Sequence, residues 1–304
     1  MCPGTRSVVT TVAAVGVLLV TSAATAQAPG ADASHVGPSR HPNGRIVFQR
    51  YIHRLPEIYT AGPHGGDIQR LTHNDIYDQG ATWSPDGTHI LFGASDATDN
   101  ELWIMRADGS HVRKVTHNKI LDVNPAWSPT GRRIVYSCLY GDDLELCTIR
   151  RDGTQHQRLT HNDVFDLYPD WSPAGHEIVY DASDGSDEEL FTIRPDGSGR
   201  QQVTDNETDD IGAAYNPMGK RVVYGGGKGA SQLFVKPVHG AGRLQVTHTP
   251  QGAGEPSWSP DGRRIAFILG QGLDVYTISV HGTDRRRITN SATGEEHPDW
   301  GVRP

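Results

Sequence analysis

The pentapeptide Trp83-Ser84-Pro85-Asp86-Gly87 decides the fold, because close copies of it recur along the chain at an almost constant interval. The copies begin at Trp127, Trp171, Tyr215 and Trp258, at successive steps of 44, 44, 44 and 43 residues. The Pro-x-Gly turn stands without its Trp at 42–44, and a last Trp stands at position 300. A fixed period of this length is typical of repeat architectures.

Each period carries signals for four short strands. After the Pro-x-Gly turn comes an apolar run such as Ile90-Leu91-Phe92, and after a polar loop comes a second run headed by an acid or amide, such as Glu101-Leu102-Trp103. An Asp-Gly pair then suits a tight hairpin, and the following strand ends in an apolar-Thr pair. The fourth strand carries the Trp. The pattern predicts an all-β fold, a six-bladed β-propeller over 40–301 with four antiparallel strands in each blade.

The frame of the repeat also predicts how the ring closes. The first unit begins at its turn and lacks the Trp-bearing strand, whereas the chain stops just after one such strand, at 297–300. We expect this C-terminal strand to pair into the N-terminal blade, which leaves no open sheet edge.

This repeat resembles that of the TolB-type propeller family. The signature at 83–87 and the apolar-Thr pair that follows each blade carry the resemblance, which covers about residues 40–301. It implies a propeller fold, and we do not expect the α/β domain that precedes the propeller in TolB. TolB-like propellers also occur among metal-using lyases of pectin fragments, so the resemblance admits an enzyme as well.

The N-terminal segment has the pattern of an export signal. A short region with one Arg is followed by an apolar stretch at 8–24 and by the small-x-small sites 24–26 and 26–28. We therefore predict a signal peptide at 1–28, a polar linker at 29–39, and a secreted or periplasmic protein without a transmembrane segment after cleavage. An uncleaved membrane anchor is the alternative.

The charge of the chain limits its partners. With 28 Lys and Arg against 36 Asp and Glu, the formal net charge is −8. This excess of acid argues against binding to nucleic acid or to an anionic membrane surface.

Acidic residues stand five positions before the Trp, or its Tyr substitute, in five of the six units. They are Asp78, Asp122, Asp166, Asp210 and Glu295. Three His residues precede them in successive units, namely His73, His117 and His161. Because these loops lead into the Trp-bearing strands, we expect the two sets to mark one binding face near the mouth of the channel.

Two interpretations of the acids remain open. Each acid accepts hydrogen bonds from loop backbone and fixes a blade junction in the first. In the second, two or three acids with waters hold a weakly bound cation, with Asp122 and Asp166 as candidate ligands and Ca²⁺ as the candidate ion. No cofactor is required. The His residues lie one blade apart, too far from one another to share a zinc ion.

Cys138 and Cys147 flank the polar loop of the third blade. In an exported chain we expect them to form a disulfide; two reduced, buried thiols are the alternative.

The sequence favours a non-enzymatic scaffold, expected to be a monomer, that binds a protein or peptide partner. The alternative is a metal-assisted polysaccharide lyase or hydrolase, and a cation- or pH-responsive module is a third hypothesis. We assign no catalytic residue, although polar residues that break the repeat are candidates for such an enzyme. They are Arg50, His53, Arg54, His239, Arg243, His248 and Glu255.

Overall fold

The computed structural model describes residues 43–52, 54–95, 99–183, 185–270 and 273–304. The predicted signal peptide at 1–28, the linker at 29–39 and His53 lie outside the described residues.

The described chain forms 24 strands in six four-stranded sheets, which are the blades. In chain order the strands are β1 (Asn43–Ile52), β2 (Leu55–Ala61), β3 (Gln69–Arg70), β4 (Tyr77–Trp83), β5 (His89–Ser95), β6 (Asn100–Arg106), β7 (Arg113–Lys114), β8 (Asp122–Trp127), β9 (Arg133–Tyr140), β10 (Asp143–Arg150), β11 (Gln157–Arg158), β12 (Asp166–Trp171), β13 (Ile178–Ser183), β14 (Glu188–Ile193), β15 (Gln201–Gln202), β16 (Asp210–Tyr215), β17 (Arg221–Gly226), β18 (Gln232–Pro237), β19 (Leu244–Gln245), β20 (Ala253–Trp258), β21 (Arg264–Leu269), β22 (Asp274–Ser279), β23 (Arg286–Arg287) and β24 (Glu295–Val302). Blade 1 has the order β24-β1-β2-β3, and blades 2 to 6 take the remaining strands four at a time in chain order. This confirms the predicted six-bladed β-propeller.

The ring closes through its last strand, as predicted. Strand β24 pairs antiparallel with β1, with Trp300 opposite Ile46 and Glu295 opposite Arg50. The innermost strands β4, β8, β12, β16, β20 and β24 each contact the next around the axis, and β24 contacts β4. The C-terminal strand therefore completes the blade that the N-terminal strands begin.

The repeated Trp side chains fill the wedges between blades. Trp83 is buried in one cluster with Val47 and Ile58 of blade 1, and Trp127 is buried in another with Leu91 and Leu102 of blade 2. The large flat indole ring buries more apolar area there than any other side chain would. The Trp of each unit is thus a packing residue that joins neighbouring blades.

The two ends of the propeller carry different connections. One end, the turn face, holds the Trp-Ser-Pro turns and the Asp-Gly hairpins, because these join first to second and third to fourth strands. The opposite end, the loop face, holds the loops between second and third strands and the loops that lead from each outer strand to the next innermost strand. Each innermost strand therefore runs from the loop face to the turn face.

Every innermost strand contains a β-bulge with one residue in the left-handed region. The bulge residue lies three positions before the Trp or Tyr, and its φ lies between 47° and 63°. The six residues are Gly80, Asn124, Tyr168, Gly212, Glu255 and His297. A bulge re-aims side chains and reverses the alternation of the strand. This irregularity determines which side chains line the channel.

Candidate functional site

The five acids of the repeat are buried. Asp78, Asp122, Asp166, Asp210 and Glu295 all have 0% of their surface exposed. The four Asp side chains each accept a hydrogen bond from the side-chain amide of the Asn four residues earlier, at 2.9, 2.8, 2.9 and 2.8 Å. The donor is thus a side chain rather than the expected loop backbone. The acids lie beneath the loop face, where they join each loop to its strand.

A second acid extends this network at each junction. In blade 2 the carboxylate of Glu101, at the start of β6, accepts the backbone N–H of Asn118 at 2.9 Å. Glu57, Glu145 and Glu189 accept the equivalent N–H groups. The Thr of each apolar-Thr pair accepts the N–H of the third strand, as Thr116 does from Leu102 at 2.9 Å. One Glu, Thr, Asn and Asp set therefore fixes the loop at each of these junctions.

Burial changes the acidity of the four Asp side chains. It raises the pKa of Asp122 to about 7 and the pKa values of Asp78, Asp166 and Asp210 to about 6, and hydrogen bonds from the neighbouring Asn oppose the rise. Within the described chain, one carboxylate oxygen, Oδ1, of each of the four has no hydrogen-bond partner. These junctions therefore tolerate the ionised carboxylates at a cost in stability.

The three predicted His residues lie elsewhere. His73, His117 and His161 are exposed on the loop face, in three successive blades.

Among the described residues, the one group of three metal-ligand side chains with ligand atoms within 4.8 Å of one another is Cys138, Cys147 and His156. A disulfide between the two thiols removes them as ligands.

That disulfide joins Cys138 on β9 to Cys147 on β10, and the Cα atoms are 6.0 Å apart. The two residues are diagonal neighbours in the hairpin register, because Cys138 lies opposite Glu145 and Cys147 lies opposite Tyr136. Both are fully buried. The bridge therefore fixes the hairpin at the centre of blade 3.

Three bulge residues meet inside the channel. The backbone N–H of His297 donates to Oε2 of Glu255 at 2.6 Å, and the His297 ring stacks on Tyr168 with centroids 6.1 Å apart. Tyr168 belongs to blade 4 and His297 to blade 1, which lie on opposite sides of a six-membered ring. Their contact therefore spans the channel. Burial and nearby carboxylates, including Glu255, raise the pKa of Tyr168.

Further carboxylates line the same channel. Glu296 accepts hydrogen bonds from Gln49 and Tyr51, each at 2.8 Å. Asp170 and Asp299 are partly exposed and lie directly before the Trp of blades 4 and 1. Burial raises the pKa of Asp170 to about 7, and the charge of Asp299 raises it further.

The six innermost strands contain no Lys or Arg in their sequences. The lining of the channel is therefore acidic and aromatic, and its acids come from blades 1, 4 and 6.

The structure does not bring together those sequence-based candidates for an enzyme site that lie among the described residues, which exclude His53. Arg50 is paired with the buried Glu295 at 2.5 Å, whereas His239 contacts Glu177 at 3.0 Å on the turn face. Arg243 lies 3.6 Å from Asp210. His248 and Arg54 are exposed. Among the members of this set that the structure describes, Glu255 is the one placed in the channel.

The architecture defines a closed six-bladed propeller with an acidic channel. The model of the family "TolB beta propeller domain" matches residues 10–218, which is more than half of the chain. The chain therefore belongs to the TolB β-propeller domain family.

Solved structures agree in fold. TolB from Acinetobacter baumannii superposes with a TM-score of 0.75 at 15% identity, over 85% of this chain and 66% of that one. A chain of the nidogen/laminin complex gives 0.70 at 11% identity, over 84% and 98%. Hydrazine synthase from Kuenenia stuttgartiensis gives 0.71 at 14% identity, over 87% and 47%. The chain thus spans about two thirds of the TolB chain and about half of the synthase chain. No match is found among proteins of curated function.

No helix in the described ranges is long and apolar enough to cross a membrane.

Proposed function

We propose that the protein is an exported, non-enzymatic scaffold that binds a protein or peptide partner at the channel. Export is supported by the apolar segment at 8–24 and by the disulfide of blade 3, since disulfides persist in oxidising compartments. Rigid propeller rings present loops and a channel mouth without any need for catalysis. The similar fold of a chain from the nidogen/laminin complex agrees with a binding role.

The observation that carries this proposal is the composition of the channel. Glu255, Glu296 and His297 enter it from blades 6 and 1, and Tyr168 enters from blade 4. The side chains of Glu255 and His297 are 37% and 24% exposed, so a ligand has access to them. An acidic wall with an aromatic ring suits a Lys or Arg side chain, which gains both charge pairing and a cation–π contact.

The test is capture of partners from the native envelope by the immobilised full chain. We compare the wild type with the double variant Glu255→Gln/Glu296→Gln, which keeps the hydrogen-bond acceptors and removes two charges. The expected result is a partner retained by the wild type and reduced at least about tenfold by the double variant, as loss of charge-assisted contacts implies. A Lys- or Arg-containing peptide from that partner should compete.

The matched control is Asp163→Asn, which removes a charge from an exposed loop residue of the loop face. Equal retention by all three proteins would contradict the channel as the binding site. Turnover of an acidic oligosaccharide by the wild type would instead favour the alternative, a metal-assisted polysaccharide lyase or hydrolase.

Cation binding is a second candidate function, and the unpartnered oxygens of the buried acids favour it. Oδ1 of Asp122 and Oδ1 of Asp166 are buried acceptors in neighbouring blades. If Ca²⁺ binds there, it should raise the melting temperature, and Asp122→Asn and Asp166→Asn should each remove that increase. An unchanged melting temperature in excess Ca²⁺ would dismiss this candidate.

A further inference from the structure

Five arginines of blades 2 and 3 line one pocket on the turn face, which extends to blade 4. The pocket has a volume of about 1160 Å³, and its lining includes the turn 128–131 and Trp171. The arginines are Arg113, Arg132, Arg133, Arg150 and Arg151. One carboxylate, that of Asp152, lies among the lining residues, and it accepts hydrogen bonds from the N–H and hydroxyl of Thr154. Positive charge is thus in large excess at this place on a chain whose net charge is −8.

Arg113 and Arg151, which come from neighbouring blades, lie close to one another. Nη2 of Arg113 donates to the backbone carbonyl of Arg151 at 2.8 Å, and the Arg151 guanidinium lies 5.6 Å from the centre of the Trp127 ring. Burial and the charge of Arg151 lower the pKa of Arg113. The nearby His89 also has a lowered pKa, owing to burial and then to Arg151. Like charges held together in this way repel one another unless an anion lies between them.

Comparison with blades 1 and 6 shows what blade 3 lacks. In blade 1, Arg45 contacts Thr60 and the carboxylate of Asp67. In blade 6, Arg264 contacts Thr277 and, at 2.7 Å, the carboxylate of Asp284. These two arginines have internal counter-ions.

The arginine at the same position in blade 3 is Arg133. It keeps the Thr contact, with Nη2 donating to Thr148 at 2.8 Å. The position of Asp67 and Asp284 is taken by Gln155, which has the same left-handed backbone, with φ of 56°. Within the described chain, none of the five arginines forms an ion pair within 4 Å. In blade 3, a neutral amide therefore occupies the position at which blades 1 and 6 have a carboxylate counter-ion.

We propose that this arginine pocket binds an oxyanion group, a phosphate or a carboxylate carried by a ligand that fills the pocket. A guanidinium group forms paired hydrogen bonds with either kind of oxyanion. The ammonium group of Lys acts as a point charge and lacks this paired geometry. The site is distinct from the bulge residues of the channel, since its lining consists of turn-face residues of blades 2 to 4 and includes none of the bulge residues.

The test uses isothermal titration calorimetry on the full chain, with pyrophosphate and citrate as probes at low salt. We expect saturable binding of at least one probe, weakened by added salt. Binding of pyrophosphate alone identifies a phosphate ligand, and binding of citrate alone identifies a carboxylate ligand. Failure of both probes to bind saturably would overturn the proposal.

Two variants test the assignment to these residues. Arg151→Ala should weaken binding at least about tenfold, because it removes a charge-assisted contact. Gln155→Asp should weaken binding by a similar factor without loss of thermal stability, because it restores to Arg133 the counter-ion that blades 1 and 6 possess. The second variant keeps the test valid if Arg151→Ala disturbs the packing on Trp127.

The matched control is Arg263→Ala. Arg263 is exposed in blade 6 at the position that Arg132 holds in blade 3, so the variant removes one Arg charge from the turn face at a place outside the pocket. We expect its affinity to stay within about twofold of the wild type, as a distant exposed charge implies. An equal loss in Arg263→Ala and Gln155→Asp, or no loss in Gln155→Asp, would show that net charge and not this pocket attracts the anion.

Discussion

At the scale of single residues, the buried Asp of each junction combines two opposing effects. The amide of Asn118 holds one oxygen of Asp122 at 2.8 Å, while the other oxygen has no partner in the described chain. The hydrogen bond fixes the loop, and burial penalises the charge. The side chain therefore holds the loop in place, but its ionised form lowers the stability of the folded state.

This balance predicts a pH dependence of stability. A pKa of about 7 in the folded state, against an ordinary value of 3.8, means that the folded chain binds a proton at Asp122 more tightly than the unfolded chain does. The free energy of unfolding should therefore fall as pH rises from about 4 through about 7 and level off above that range. Asp78, Asp166 and Asp210 should contribute in the same direction, because their pKa values are also raised.

The variant Asp122→Asn isolates one of these groups. It keeps an oxygen for Asn118 and removes the buried charge, so we expect it to be more stable than the wild type by about 1–3 kcal/mol at about pH 8, with the gain shrinking towards about pH 5. Urea unfolding with a chelator present measures both values. The exposed Asp163→Asn is the control and should show no such pH-dependent gain. A gain of equal size at both pH values would refute the assignment.

At the scale of elements, the hairpin of β9 and β10 carries the disulfide. The bridge closes a ring of ten residues, counted from Cys138 to Cys147, and the loop-entropy relation gives about 2–3 kcal/mol for a ring of that size. The double variant Cys138→Ala/Cys147→Ala should lose roughly that free energy of unfolding in urea. Adding reductant to the wild type should cause a similar loss and leave the variant unchanged. A variant as stable as the oxidised wild type would contradict this expectation.

The bulge in each innermost strand explains why the sequence did not predict that the repeated acids are buried. Simple alternation would place Asp78 on the same side of β4 as Thr82, since they are four residues apart. The bulge between Gln79 and Thr82 reverses the alternation, and Asp78 becomes buried in the junction. The bulge is set by backbone conformation, and only the glycines at 80 and 212 signal it in the sequence.

The same bulge accounts for the channel residues that the sequence did not single out. Tyr168 and His297 occupy bulge positions in opposite blades, so their contact depends on the closed ring as well as on local conformation. Of the residues at these positions, only Glu255 is named from the sequence, as one of the polar residues that break the repeat. The four-strand period, by contrast, depends on local turns and apolar runs, which the sequence displays directly.

At the scale of the whole molecule, ring closure depends on a close fit of β24 against blade 2. A Cβ atom added to Gly301 would lie 2.5 Å from the Trp83 ring. Gly301→Ala should therefore force the strand away from the indole and destabilise the protein by about 1–3 kcal/mol, as overpacking of a core does. The control is removal of 303–304, both exposed, which should cost little. Thermal unfolding measures both, and equal melting temperatures for Gly301→Ala and the wild type would contradict a tight closure.

The pairing of β24 with β1 also sets an order of events during synthesis of the chain. Arg50 and its partner Glu295 are 245 residues apart, whereas blades 2 to 6 are each built from one continuous stretch of chain. Contacts over such long separations form slowly, because the loop between them must first be ordered. Blade 1 must therefore wait, with three of its four strands, until β24 has been synthesised. A chain that lacks β24 leaves the edge of β1 unpaired. A chaperone that covers exposed sheet edges would therefore act at this stage.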